Sequence, residues 1–217
     1  FRANNRQSSL RLTPEWGERC IKVCTPQSGP RFDVDNPVVT PVREFKGVSL
    51  NLTESVAAAL LELHHLQCTQ SIAAVLRKAF DAVGANEGTI WLLDENQEAL
   101  VPVWSSGPYG ERFVGIHRQP LTAGIMSLIC VTEQGLCENA VYQNAQQDPT
   151  LDRRLGVLTC AMIAVPLRFG DAIHGGVSCV RLKPVDSAAP EPPPFSVTDL
   201  AVVTDAVREV ERLVEAA

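Results

Sequence analysis

Gly124-Ile125-Met126 opens the apolar run LTAGIMSLICVTEQG, which reads as a helix packed through Ile125, Leu128, Ile129 and Val131. A helix start leaves backbone amides unsatisfied and carries the positive end of the dipole. The amides of Ile125 and Met126 are therefore the best anion cradle in the chain. Tyr142, Asn144, Gln146, Asp148, Thr150 and Thr159 follow as polar candidates for a pocket, and Ser105, Ser106 and Phe113 for its opposite wall. Taken singly, each also fits a solvated loop or a core position. Asp148 and Asp152 are i, i+4 neighbours, which a solvated helix face explains, and no nucleophile–base pair stands out. His64 and His65 are adjacent on a helix and cannot face one site together. With only His117 and His174 elsewhere, no metal or haem site is expected and no catalytic residue is assigned.

The seven cysteines, at 20, 24, 68, 130, 137, 160 and 179, are odd in number and irregular in spacing, without a CxxC pair. Cys130, Cys160 and Cys179 lie in apolar surroundings. This is the pattern of buried free thiols in a reducing compartment, so a cytoplasmic location is expected. Formal net charge is -6 with the signs interspersed, which argues against a nucleic-acid surface. No apolar run approaches the roughly 20 residues needed to span a bilayer. Beginning at Phe1, the chain reads as part of a longer protein.

These groups must be positioned by the rest of the 217 residues, of which 45 % are hydrophobic and 20 % charged, enough for one sizeable core. Residues 1–48 are polar, punctuated by Pro14, Pro26, Pro30, Pro37 and Pro41, and read as an extended or partly disordered leader. Residues 49–217 read as one domain. Thr53 can cap a helix carrying Val56, Leu60, Leu63 and Leu66, and a second amphipathic helix spans 68–85. GTIWLLD and ALVPVWSS form a hairpin about ENQ, and RFVGIHR is a third strand. Residues 136–156 are polar and irregular, with Asp148-Pro149 starting a turn or short helix. TCAMIAVPLRF and AIHGGVSCVRLK are strands joined by Gly170-Asp171, and SVTDLAVVTDAVREVERLVEAA is a closing helix. This order predicts an α/β (α+β) fold with a central antiparallel sheet, helices on one face and a ligand-sized layer on the other.

From GIMSLICVTEQG through ENAVYQNAQQDPTLDRRLGVLTCAMIAVPL the sequence resembles a GAF domain. That family is a small-molecule sensor module of cyclic-nucleotide phosphodiesterases, adenylate cyclases, histidine kinases and phytochromes. Gly124-Ile125 keeps the family's helix opening, while Ser127, Glu133 and Val141 replace two glycines and an alanine of its pattern. Gly156, Thr159 and Pro166 stand where expected. The resemblance implies that the Ile125 and Met126 amides meet a cyclic phosphate and that Tyr142 contacts the phosphate or ribose. The ligand it implies is cAMP or cGMP, with no resident cofactor.

VRLKPVDSAAPEPPPFSVTDL, residues 180–200, carries part of a second family signature: Lys183, Phe195 and Asp199 match, whereas Leu182 and Leu200 replace its Asn and Glu. Two arrangements fit. Lys183 pairs with Asp199 and pins the closing helix across a proline-stiffened loop, or Ser196 or Thr198 caps the helix and Lys183 is solvated. Phe195 is the apolar plug in either case. The resemblance implies a regulatory ligand-binding module, not itself an enzyme, that transmits ligand state through its terminal helices. A domain that has lost its ligand and serves as a dimerisation scaffold is the other reading. The first-helix stripe and Val203, Val207, Val210, Leu213 and Val214 on the last helix are wider than one sheet face needs. A homodimer through the terminal helices is therefore expected, against a monomer in which the sheet covers both stripes.

Overall fold

A computed structural model describes residues 52–64, 66 and 69–216. The 1–48 leader, the Thr53 cap, the Leu63 side chain and Cys20, Cys24 and Cys68 lie outside what is described. Two helices open the described chain, α1 (Leu52–Leu63) and α2 (Gln70–Ala82). The Thr69 hydroxyl caps α2 by accepting from the Ile72 amide at 3.3 Å. Ile72, Leu76, Ala79 and Phe80 recur at helical spacing and form its buried face.

The sheet is then laid down by β1 (Glu87–Leu93), β2 (Ala99–Ser105) and β3 (Gln119–Pro120), followed after α3 (Ile125–Thr132) by β4 (Leu136–Glu138). The helix α4 (Thr150–Leu155) precedes the long hairpin β5 (Val157–Phe169) and β6 (Ala172–Pro184), and α5 (Val197–Glu215) closes the chain. Strand order is β3-β2-β1-β6-β5-β4, and every neighbouring pair is antiparallel.

Period-2 alternation divides the side chains between two layers. Ile90 and Leu92 of β1, Val177 and Cys179 of β6, and Ile163, Val165 and Leu167 of β5 face α1, α2 and α5. Trp91 and Leu93, with Met162 and Ala164, face α3. The expected antiparallel α/β fold is present, but helices cover both faces: α1, α2 and α5 on one, the shorter α3 and α4 on the other. Gly175 (φ 154°) lies where β6 crosses β1, and a Cβ there would collide with the Trp91 carbonyl.

Two sequence expectations are corrected. Residues 112–118 are not a strand. A 3-10 turn over Gly110–Arg112 leads into local bonds from Val114 N to Gly110 O and from His117 N to Phe113 O, with Gly115 at φ 71°. The third strand lies further on, at Gln119–Pro120. Nor is 136–156 wholly irregular. Leu136–Glu138 pairs with Met162–Ala164 as an edge strand, while the short helix expected after Asp148-Pro149 is present as Thr150–Leu155.

The 180–200 stretch resolves as cap rather than pair. Ser196 Oγ accepts from the Asp199 amide at 3.1 Å, and Asp199 Oδ2 accepts from the Ser196 amide at 2.7 Å, a reciprocal capping box. Among the described residues Lys183 forms no ion pair with Asp199. Arg181 does the tethering instead. It is 8 % exposed and donates to the carbonyls of Val83, Gly84, Pro193 and Pro194 at 2.5–3.3 Å. Its guanidinium lies 4.1 Å from the centroid of the Phe195 ring, which is the expected plug at 4 % exposure.

Candidate functional site: an acid-lined cavity under α3 and α4

A cavity of about 60 Å³ lies between the sheet and the α3–α4 layer. Its floor is the row Glu87, Thr89 and Trp91 of β1, beside Ser178, Val180 and Leu182 of β6. Val157, Thr159 and Met162 of β5 extend it. Ile125 and Met126 from α3 and Leu151, Asp152 and Leu155 from α4 form the roof, with Gln147 and Asp148 in the loop before α4. Phe113 and Gln119 close one side. Such a space exceeds the roughly 10–15 Å³ that a single ordered water needs.

The roof is tied down at both ends of α4. Asp152 accepts from the Thr159 amide at 2.9 Å and from its hydroxyl at 2.8 Å. Arg112 donates to the Arg154 and Leu155 carbonyls at 2.8 and 3.3 Å, satisfying acceptors at the helix C-terminus. Gly124 (φ 90°) caps α3 without a side-chain hydrogen bond, so no side chain occupies the first-turn amides. On the floor, Trp91 Nε1 donates to Ser178 Oγ at 2.9 Å and fixes the indole plane.

The acids differ in how they are held. Burial pushes the Glu87 carboxyl up, opposed by the Ser105 hydroxyl and the nearby Tyr109 amide. Ser105 donates to Oε1 at 3.1 Å, whereas Oε2 is buried with no hydrogen-bond partner. Burial likewise raises Asp152, and the two bonds from Thr159 offset part of the shift. The Thr150 hydroxyl holds Asp148 below the usual carboxylate range. Behind Trp91, with ring centroids 6.0 Å apart, His117 is 7 % exposed. Burial depresses its pKa against the attraction of Asp148.

Of the residues singled out in the sequence, Phe113, Ile125, Met126, Thr159 and Asp148 line the cavity. Six do not. Ser105 stands behind Glu87, and Ser106 Oγ accepts from the Gly88 amide at 2.9 Å. Tyr142 is exposed and donates to Glu191 on the proline loop at 2.7 Å. Asn144 bonds Glu138 Oε2 and the Gln146 amide, Gln146 is exposed, and Thr150 bonds Asp148. Asp148 and Asp152 are not a solvated helix face, since both turn toward the cavity. Sequence reasoning missed Glu87, Trp91 and Ser178. The available signal was phase: Glu87, Thr89 and Trp91 alternate on one face of a strand whose other face is aliphatic.

Comparison of the backbone with solved structures gives it the fold of GAF domains. The GAF domain of a phosphoenolpyruvate-protein phosphotransferase from Coxiella burnetii superposes with a TM-score of 0.55 at 13 % identity, covering 75 % of this chain and 93 % of that one. The corresponding domain from Acinetobacter gives 0.53 at 15 % identity, covering 77 % and 95 %. A free methionine-R-sulfoxide reductase from Neisseria meningitidis, solved with its substrate, gives 0.51 at 16 % identity, covering 76 % and 87 %. No protein-family model and no curated protein matches the sequence. The chain has the GAF fold.

Proposed function

We propose that this chain is a regulatory small-molecule-binding domain of a signalling protein. The observation that carries the reading is the cavity, with one aromatic wall, an uncapped helix start and convergent polar groups, at the interface of two layers. Binding there would bias the packing of the sheet against α1 and α5, the elements that lead into and out of the domain. Thermal-shift measurements with amines, amino acids, cAMP and cGMP test it. A saturable rise in melting temperature with one class supports a sensor. No shift with any of them leaves the dimerisation scaffold.

A regulatory rather than catalytic role is supported by the thiols. Among the described residues no cysteine lines the cavity, and burial lifts the Cys130 thiol to about 11 and that of Cys179 to about 12. Thiolate chemistry at neutral pH is thereby disfavoured at these positions. Such buried free thiols fit a cytoplasmic setting. The Neisseria reductase nevertheless makes a reductase assay on the full chain a necessary control.

The uncapped α3 amides favour a second ligand reading, cAMP or cGMP with its phosphate at Ile125 and Met126. Three carboxylates and no lysine or arginine line the space, which opposes a phosphate. A purine, ribose and phosphate would also require α4 to lift. Titration calorimetry with both nucleotides decides it: binding that Met126→Pro removes from a still-folded domain supports the nucleotide.

A further inference from the structure

Pro190, Pro192, Pro193 and Pro194 lie in the connection from β6 to α5, in a run that is neither helix, strand nor turn. Proline holds φ near −65°, and the residue before a proline is driven to extended backbone. Ala189, Glu191, Pro192 and Pro193 each precede a proline, and no described peptide bond is cis. Covalent geometry therefore makes the run a polyproline II segment, a left-handed helix of three residues per turn.

Three residues per turn give the segment three edges, and burial follows them. Pro192 is partly covered, and Phe195, three residues on, is 4 % exposed beside the Arg181 guanidinium, so this edge faces the domain. The other two edges, Pro190 with Pro193 and Glu191 with Pro194, are exposed. Neighbours along one edge stand roughly 9 Å apart.

The domain holds this ridge in place. Arg181 donates to the Pro193 and Pro194 carbonyls, Asn139 exchanges two hydrogen bonds with the Phe195 backbone, and Tyr142 donates to one carboxylate oxygen of Glu191. Among the described residues nothing donates to the carbonyls of Pro190, Glu191 and Pro192 or to the second oxygen of Glu191. A ridge already stiff and anchored loses little freedom when a partner closes on it. From Pro184 to Leu200 the chain carries Asp186, Glu191 and Asp199 and no lysine, arginine or histidine. None of residues 184–195 lines the cavity.

We infer that the ridge at 190–194 docks a second protein, through a module whose aromatic-lined groove takes a polyproline II helix and is flanked by basic side chains. Pro190 and Pro193 fill the slots between its rings. The open carbonyls accept from indole or phenol donors in the groove, and the second oxygen of Glu191 meets the cation.

Titration calorimetry of the full chain against purified SH3 and WW domains, chosen with basic and with acidic groove flanks, tests this. At least one basic-flanked domain should bind saturably. Pro190→Ala and Pro193→Ala should each weaken that binding about tenfold or more and leave the melting temperature nearly unchanged, because both residues are exposed. Pro192→Ala loosens the backbone as much but lies on the inward edge, so its affinity should fall by less than about threefold. Glu191→Gln keeps an acceptor for Tyr142 and should weaken binding while flattening its salt dependence. Silence from every domain overturns the inference, as does binding confined to acidic-flanked domains. Affinity unchanged in Pro190→Ala and Pro193→Ala overturns it too. So does an equal loss in Pro192→Ala, which would mark stiffness rather than an edge. Self-association of the full chain that Pro190→Ala abolishes would make a second copy the occupant, and overturns it as well.

Discussion

Arg181 gathers into one guanidinium a task the sequence spreads over a lysine and an aspartate. Residues 179, 181 and 183 share one face of β6, so the alternation puts a cation on the correct side; only the reach of the fork decides which one tethers. Arg181→Ala leaves the carbonyls of Val83, Gly84, Pro193 and Pro194 short of a donor and should cost about 2–4 kcal/mol in urea unfolding. Arg181→Lys should recover less than half, because an ammonium cannot span four carbonyls and stack on Phe195. His117 carries a pH signature. Burial holds its folded pKa below the unfolded value near 6.5, so the unfolded chain takes up the proton first. This contribution to stability should be complete above about pH 6.5 and fall away as pH drops toward the folded pKa. His117→Gln should flatten that part of the stability–pH curve. Glu87 was illegible for a related reason: an acid at a strand head reads as a solvated end unless its phase with Thr89 and Trp91 is weighed.

Among the elements, those with long hydrophobic periods were legible. The β5–β6 hairpin about Gly170-Asp171, α2 and α5 follow from alternation and helical spacing alone. The third strand was misplaced because Phe113, Val114 and Ile116 are strand-favouring residue types, while Gly110 and Gly115 instead let the chain coil locally. The edge strand β4 is too short for any period to show; it exists because β5 offers it a ladder. The start of α5 was legible only as a choice between a Lys183–Asp199 pair and a cap from Ser196 or Thr198. Ser196→Ala should cost about 1 kcal/mol through loss of the cap. The Ser196 amide holds Asp199 below its usual value. The stabilisation linked to that shift is therefore present above the unfolded pKa near 3.8 and lost as pH falls through the folded one, which acid titration of wild type against Asp199→Asn should display.

At the scale of the whole molecule, the antiparallel α/β architecture was legible from element order, whereas a cavity made where β1, β6, α3 and α4 meet was not, since no local pattern records what faces what. The terminal helices bear on assembly. Val203, Val207 and Val210 of α5 are buried against the sheet, and Ala57 and Leu60 of α1 are buried too. What remains open is narrower than the sequence stripes, with Val56 and Val202 each 36 % exposed. A homodimer through these helices would rest on such residues. Sedimentation of wild type and Val56→Glu measures it: a dimer that becomes a folded monomer supports the bundle, and a wild type that stays monomeric at high concentration removes it.

Gly88 sits between Glu87 and Thr89, on the opposite side of the strand, and a Cβ there would run into the Phe80 ring of α2. The partition between the cavity and the helical layer is at this point a single bare peptide, with no side chain to cushion it. A load on Glu87 therefore reaches Phe80 without slack, as pressure on one side of a diaphragm is felt on the other. Amide hydrogen exchange at 79–83 should slow when the cavity is filled, although no atom of α2 lines it. The last turn of α2 would then be the place to listen for an occupant on the far side of the sheet.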